Sequence, residues 1–380
     1  MEATIYPGLE GVHIGTSKIC KIDGLKGDLI YCGYHINELA NKASFEEVSY
    51  LLWNGDLPNA EQLRAFQEEL QQNYELPQAV YDLLAMLPTS VDPMHAIQSA
   101  VAALAAFDPN ADDVSLENVR RIGMQLLARF PVVVANFERI RQGKQPLEPN
   151  PKLSIAENFL YILNGEVPSE AASKVMDTAL VLHAEHGSNA STFTARATSS
   201  TLTDVYSAIA AAVGSLKGPL HGGANEAVMR ALESIGSNDA VEDYIMGKLA
   251  DPKGRVPGFG HRVYRVLDPR ATILRKVAEE LAVESPESKW FEMSLGMAEV
   301  MEREMDKRGK EVRPNVDFFS ASVYRMLGFP TDMYTPIFAV ARISGWMAHL
   351  LEQYADNRLM RPRLVYEGQI GRTFTPIESR

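Results

Sequence analysis

From Ile36 onward, apolar residues recur every three or four positions almost to the end of the chain, the spacing of helices that bury one face. Ser44-Phe-Glu-Glu47 reads as a capping box leading into Val48 to Trp53, and Asn54-Gly55 closes that helix. Pro58-Asn-Ala-Glu61 opens the next, with Leu63, Phe66 and Leu70 on one face, and Asp92-Pro93 starts another that ends near Phe107-Asp-Pro109. Ser115 to Arg141 is a long helical run carrying Pro131, which predicts two segments or one kinked helix. Gln142 to Pro151 reads as a surface loop, followed by helices over 154–164 and 169–185. A β pattern is confined to 18–36, where two short runs flank a Gly/Asp-rich turn and predict a small hairpin. The fold class is therefore all-α, with about fifteen to twenty helices by mean helix length.

Two Pro/Gly interruptions, Gly218-Pro219 and Gly328-Phe329-Pro330, are hinge candidates. They divide the chain into a large domain begun by 1–218 and completed by 326–380, with 219–325 as an inserted smaller domain. At 380 residues two domains are expected. A net charge of −12 argues against nucleic acid or an anionic membrane as the main partner. No run of 18 apolar residues occurs, and the N-terminus lacks the basic and apolar regions of a signal peptide. Cys20 and Cys32 make no C-x-x-C and read as free thiols. A cytoplasmic protein is expected.

The candidate chemistry lies where histidines meet glycines. His221 stands in Gly218-Pro-Leu-His221-Gly-Gly-Ala-Asn225, between an alanine-rich helix and a new one. A position before a helix N-terminus lowers an imidazole's pKa, and a neutral ring can donate to a carbonyl oxygen that is becoming negative. Taken alone, such a histidine reads as a helix cap or a core-edge residue. His186 precedes Gly187, and His261 follows Gly260. His183 and His186 could share a helix face, and a metal reading would join them to Asp317, but no H-E-x-x-H or obvious third ligand is present. No metal is expected.

Between Asp251 and Lys276 seven basic residues face two acids in an otherwise acidic chain, which points to a ligand bearing phosphate or several carboxylates. A solvated helix face is the plain alternative. Asp317, between Val316 and Phe318-Phe319, would be a general base if burial raised its pKa. As an isolated feature it reads as a helix N-cap. Arg342 sits among apolar helix residues, where a guanidinium needs a carboxylate partner. Arg361 lies in a polar tail of the kind that crosses onto a second subunit.

The His221 segment, Gly258-Phe-Gly-His261-Arg-Val-Tyr-Arg265-Val-Leu-Asp-Pro-Arg270 and Pro314-Asn-Val-Asp317-Phe-Phe-Ser together resemble citrate synthase over essentially the whole chain. The resemblance implies a two-domain, all-α homodimer that closes on its substrates. It implies Asp317 as the base on acetyl-CoA, His221 as donor to the thioester oxygen, and His261 as donor to the ketone of oxaloacetate. His186, Arg270 and Arg342 match oxaloacetate-binding positions, and Arg361 matches an arginine supplied by the partner subunit. Arg265 matches a basic residue near the CoA phosphates, and the Val256–Gly260 loop matches the adenine-recognising segment. No cofactor is implied beyond the coenzyme A thioester, which is a substrate. The chain is most similar to the short bacterial and archaeal form, without the NADH-controlled hexamer of longer enzymes. That form includes 2-methylcitrate synthases, which use propionyl-CoA with the same catalytic residues. A metal-dependent hydrolase and a catalytically silent helical scaffold are the competing expectations.

Overall fold

The computed structural model describes residues 4–251, 254–260, 263–264 and 266–380. Sixteen α-helices occur among them, from Ile36–Lys42 to Tyr334–Ala355. The helix starts follow the local chemistry. Ser44 and Glu47, Asn59 and Gln62, and Ser154 and Glu157 form reciprocal capping boxes, while Asp92 caps a helix with Pro93 in its first turn. Leu116–Arg141 is a single 26-residue helix that continues through Pro131. A proline inside a helix costs about 3 kcal/mol or more. Here it is offset by Val132, Val133 and Val134, each at most 2% exposed, because burying one such side chain contributes about 1.5–3 kcal/mol.

The N-terminal β unit is larger than the expected hairpin. Strands β1 (Cys20–Asp23), β2 (Asp28–Tyr31) and β3 (Tyr34–His35) form an antiparallel sheet in that order. Cys20 lies opposite Tyr31, and Tyr31 opposite Tyr34. The third strand exists because Cys32 and Gly33 both take positive φ (46° and 92°), the geometry of a two-residue hairpin turn.

The helix Tyr334–Ala355 is the axis of the core, buried on all sides from Tyr334 to Leu350. Against it pack Leu116–Arg141, Ala190–Ser199, Glu170–His183 and Phe45–Asn54. A second group, Ala224–Ile235, Val241–Ala250, Pro269–Ala282, Lys289–Lys307 and Val316–Met326, packs chiefly on itself. Pro269–Ala282 also touches Glu170–His183, and this contact brings the start of one helix to the end of another. The chemistry gathers at that junction.

Candidate active site

Asp317 lies in the first turn of Val316–Met326, but it is not the cap. Asn315 caps the helix by accepting the Asp317 backbone N–H at 3.0 Å, which leaves the Asp317 carboxylate for other work. Burial pushes that carboxyl up to about 6; Arg270 and Arg342 pull it down, and Asp268 pushes it up. The Asn315 side chain also donates to the Gly260 carbonyl at 2.9 Å, and the Asn315 backbone N–H donates to that of Gly258. The loop from Val256 to Gly260 is thereby stitched to the turn that carries Asp317.

His221 is half-buried in the turn before Ala224–Ile235. Its Nε2 accepts the Ser191 backbone N–H at 3.3 Å and lies 2.8 Å from the Ser191 hydroxyl. A nitrogen that accepts an N–H carries a lone pair, so the proton of the neutral ring resides on Nδ1. Burial, with Arg342 adding to it, pushes the imidazole down to about 4. The ring is therefore neutral near pH 7, as the sequence led us to expect, with burial as the main cause.

Two buried guanidinium groups complete the junction. Arg270, 2% exposed, is gripped by Asp268 through Nε–H to Oδ1 at 3.0 Å and Nη2–H to Oδ2 at 2.8 Å. Asp268 also caps the helix that carries Arg270 and accepts the Val316 backbone N–H at 3.2 Å, which ties the two helix starts together. Arg342, 1% exposed, donates Nε–H to the His183 carbonyl at 2.8 Å and lies over the Phe338 ring. Among the described residues it has no carboxylate within 4.0 Å, the outer limit of an ion pair; Glu185 acts on it from farther off. Glu185 is held in turn by the Gly187 N–H at 2.5 Å and by His349 at 3.0 Å. A buried cation in that condition calls for an anion from outside the chain.

His186 connects to Arg270 through Tyr264: its Nε2 lies 3.2 Å from the Tyr264 hydroxyl, and the Arg270 guanidinium carbon lies 6.0 Å from the centre of the same ring. His183 faces elsewhere. Its Nδ1–H donates to the Ala179 carbonyl at 2.7 Å, and its ring packs edge-on to Phe338. No three His, Cys, Asp or Glu side chains gather as metal ligands among the described residues, so the His183–His186–Asp317 grouping is not formed.

His186, His221, Asp317, Arg270 and Arg342 are thus brought together by five separate segments. His261 and Arg265 lie outside the described residues. Arg361 is exposed in the C-terminal tail. A cavity of about 220 Å³ opens beside Phe259 and is lined in part by Leu267, Arg275 and Arg313. Sequence reasoning did not find Ser191, Tyr264 or Asp268 as site residues. Asp268-Pro269 is a readable helix start, but nothing in the chain announces that the same carboxylate clamps Arg270.

Chemically, the junction offers a carboxylate able to take a proton near neutral pH, a neutral N–H donor and positive charge for an anionic substrate. It defines an acid–base enzyme acting on a carbonyl compound. The citrate synthase C-terminal domain family matches residues 8–363. A citrate synthase of Haloferax volcanii is 47% identical over the full length of both chains. A 2-methylcitrate synthase of Corynebacterium glutamicum is 41% identical, covering 100% of this chain and 99% of its own. Among solved structures, citrate synthase of Thermoplasma acidophilum, in ternary complex with carboxymethyl coenzyme A and oxaloacetate, superposes with a TM-score of 0.92. It is 36% identical and covers 99% of each chain. The chain belongs to the citrate synthase family, and its fold is the citrate synthase fold. Its class is that of acyltransferases that convert the acyl group into an alkyl group on transfer. No helix among the described residues is long and apolar enough to cross a membrane.

Proposed function

We propose that the chain condenses acetyl-CoA with oxaloacetate and hydrolyses the resulting citryl-CoA to citrate and CoA. The observation that carries this reading is the juxtaposition of Asp317, raised to about 6, with the buried Arg342, which among the described residues has no carboxylate within ion-pair distance. Asp317 removes a methyl proton from acetyl-CoA. The His221 Nδ1–H stabilises the enolate oxygen as charge develops there, the kind of donor whose removal costs about 10²–10³ in rate. The nucleophilic carbon attacks the ketone of oxaloacetate, whose oxygen takes a proton from His261. Water then cleaves the thioester, releasing carboxylate and CoA thiol. His186, Arg270 and Arg342 hold the two carboxylates of oxaloacetate. CoA lies along the Val256–Gly260 loop with Arg265 near its phosphates, and the cavity beside Phe259 adjoins that path.

The reading includes a homodimer in which Arg361 enters the partner's site. Residues 361–380 are exposed throughout, with Leu364 99%, Ile370 88% and Phe374 79% exposed, an apolar strip suited to a second subunit. Segment 219–325 acts as the smaller domain, closing over the enolate to exclude water. Mixing Arg361→Leu chains with His221→Ala chains should restore activity in heterodimers; no recovery after demonstrated subunit exchange would place Arg361 in its own site.

A second reading, 2-methylcitrate synthesis from propionyl-CoA, is favoured by the relative at 41% identity. Release of CoA thiol with oxaloacetate, compared for acetyl-CoA and propionyl-CoA by kcat/KM, separates the two. Preference for acetyl-CoA supports the first reading, preference for propionyl-CoA the second, and no thiol release with either overturns both.

A further inference from the structure

We propose that Tyr264 is a positioning residue for oxaloacetate, and that the glycine tip of the N-terminal hairpin holds it in place. The inference rests on the reading of His186 and Arg270 as oxaloacetate-binding groups. Tyr264 is 3% exposed and touches both. Its hydroxyl lies 3.2 Å from Nε2 of His186, and the two rings meet edge to face with centroids 5.7 Å apart. On the same ring, the Arg270 guanidinium carbon lies 6.0 Å from the centroid, at the outer limit of a cation–π contact. One side chain therefore fixes an imidazole through a polar atom and backs a guanidinium with its face.

The fixing matters because an imidazole offers two different nitrogens, and its neighbours decide which one a ligand meets. Burial pushes the Tyr264 phenol well above its ordinary range, so the group is a neutral hydroxyl throughout the working pH. It can donate to a neutral His186 or accept from it, and either bond occupies Nε2. A phenylalanine would fill the same space and support Arg270 equally well, but it would remove the hydroxyl that meets Nε2 of His186.

Tyr264 stands in a loop before the helix Pro269–Ala282, and the other side of that loop is the turn between β1 and β2. A Cβ on Gly24 would run into the Val263 carbonyl. One on Gly27 would sit 3.0 Å from Val266 Cγ2 and 3.2 Å from the Leu267 carbonyl oxygen. The two tip glycines thus lie flush against the neighbours of Tyr264 on both sides. Asp28, at the start of β2, also acts on the Tyr264 hydroxyl electrostatically and pairs with His35 at 3.3 Å. Contact runs from hairpin tip to loop, from loop to Tyr264, and from Tyr264 to the two oxaloacetate groups. The hairpin, which carries none of the proposed chemistry, acquires a function through this contact.

The test compares Tyr264→Phe and Gly24→Ala with the unaltered chain by thiol release, varying each substrate in turn. Loss of one neutral hydrogen bond changes a binding constant by about 2–10-fold. Tyr264→Phe should therefore raise KM for oxaloacetate about fivefold, while kcat and KM for acetyl-CoA change by less than about twofold. Gly24→Ala should raise the same KM by at least as much, because the Val263 backbone must give way. The pH profile of kcat/KM for oxaloacetate should also move in Tyr264→Phe, as His186 loses its hydroxyl partner; a packing role would leave that profile in place. An unchanged oxaloacetate KM in Tyr264→Phe, or equal rises in both KM values with a lowered Tm, would overturn the proposal. An unaltered chain that releases no thiol with oxaloacetate would sink the reading of the site first, and this inference with it.

Discussion

Ser191 holds one nitrogen of His221 with two of its own atoms, the backbone N–H at 3.3 Å and the hydroxyl at 2.8 Å. The two residues are 30 positions apart, and in the proposed reaction the grip decides which ring nitrogen the substrate meets. Trp346, on the central helix, donates its indole N–H to the same hydroxyl at 3.1 Å and fixes it from behind.

Ser191→Ala keeps the backbone bond and loses the hydroxyl. We expect kcat to fall about tenfold, the loss from one well-placed hydrogen bond, with Tm almost unmoved. Steady-state rates beside a thermal melt check this. An unchanged kcat would mean that the backbone N–H alone orients the ring.

As the proposed base, Asp317 would set the acid limit of the reaction. A carboxyl raised to about 6 is the working base only above that pH. The kcat/KM for acetyl-CoA should therefore fall tenfold per pH unit below about 6 and level off above it. Asp317→Asn should lower kcat by about 10²–10⁴, the usual contribution of a positioned base. A profile flat down to pH 5 would assign proton removal to another group.

Much of this architecture is legible along the chain, because helix starts are local events. Ser44 with Glu47, and Asp92 with Pro93, announce themselves within four residues. Other features depend on what meets in space. The unbroken helix through Pro131 reflects the packing of Val132 to Val134 in the core, and the third strand reflects positive φ at Cys32. The site divides in the same way. His221 and Asp317 stand in segments whose resemblance to a known family is plain, and Arg342 is conspicuous as a charge in an apolar run. Ser191, Tyr264 and Asp268 are ordinary letters in the sequence, and their roles come from partners that only folding brings near.

Asp177 should make the fold pH-sensitive far from the chemistry. Burial, then the neighbouring Glu46, push its carboxyl up to about 8, with Glu47 and Glu157 adding to the effect. It accepts the Phe45 backbone N–H at 3.0 Å. An unfolded aspartate titrates near 3.9, so between about 4 and 8 the folded chain holds a proton that the unfolded chain has lost. Stability from this group is then greatest below about 4 and declines as pH rises through about 8. Asp177→Asn retains the acceptor oxygen and removes the titration. Its Tm should fall less between pH 6 and pH 9 than that of the unaltered chain. Parallel curves would show that Asp177 is ionised at both ends of that range.

The clamp of Asp268 on Arg270 gives the sharpest link between stability and ligand. Both side chains are buried, at 1% and 2% exposure, and Asp268 supplies the one carboxylate that pairs with Arg270 among the described residues. Asp268→Asn would leave a guanidinium in the interior without its counter-charge, a change that costs about 3–5 kcal/mol. It would also weaken the tie to the Val316 N–H that holds the start of the Asp317 helix. The variant should melt well below the unaltered chain in buffer. If Arg270 receives a carboxylate of oxaloacetate, saturating oxaloacetate returns negative charge to the same guanidinium. The ligand should then raise Tm more in Asp268→Asn than in the unaltered chain, provided that each is measured at a concentration saturating its own site. Equal increments in the two proteins would mean that the substrate carboxylate and Asp268 do not share Arg270, and that Arg342 carries the anion alone.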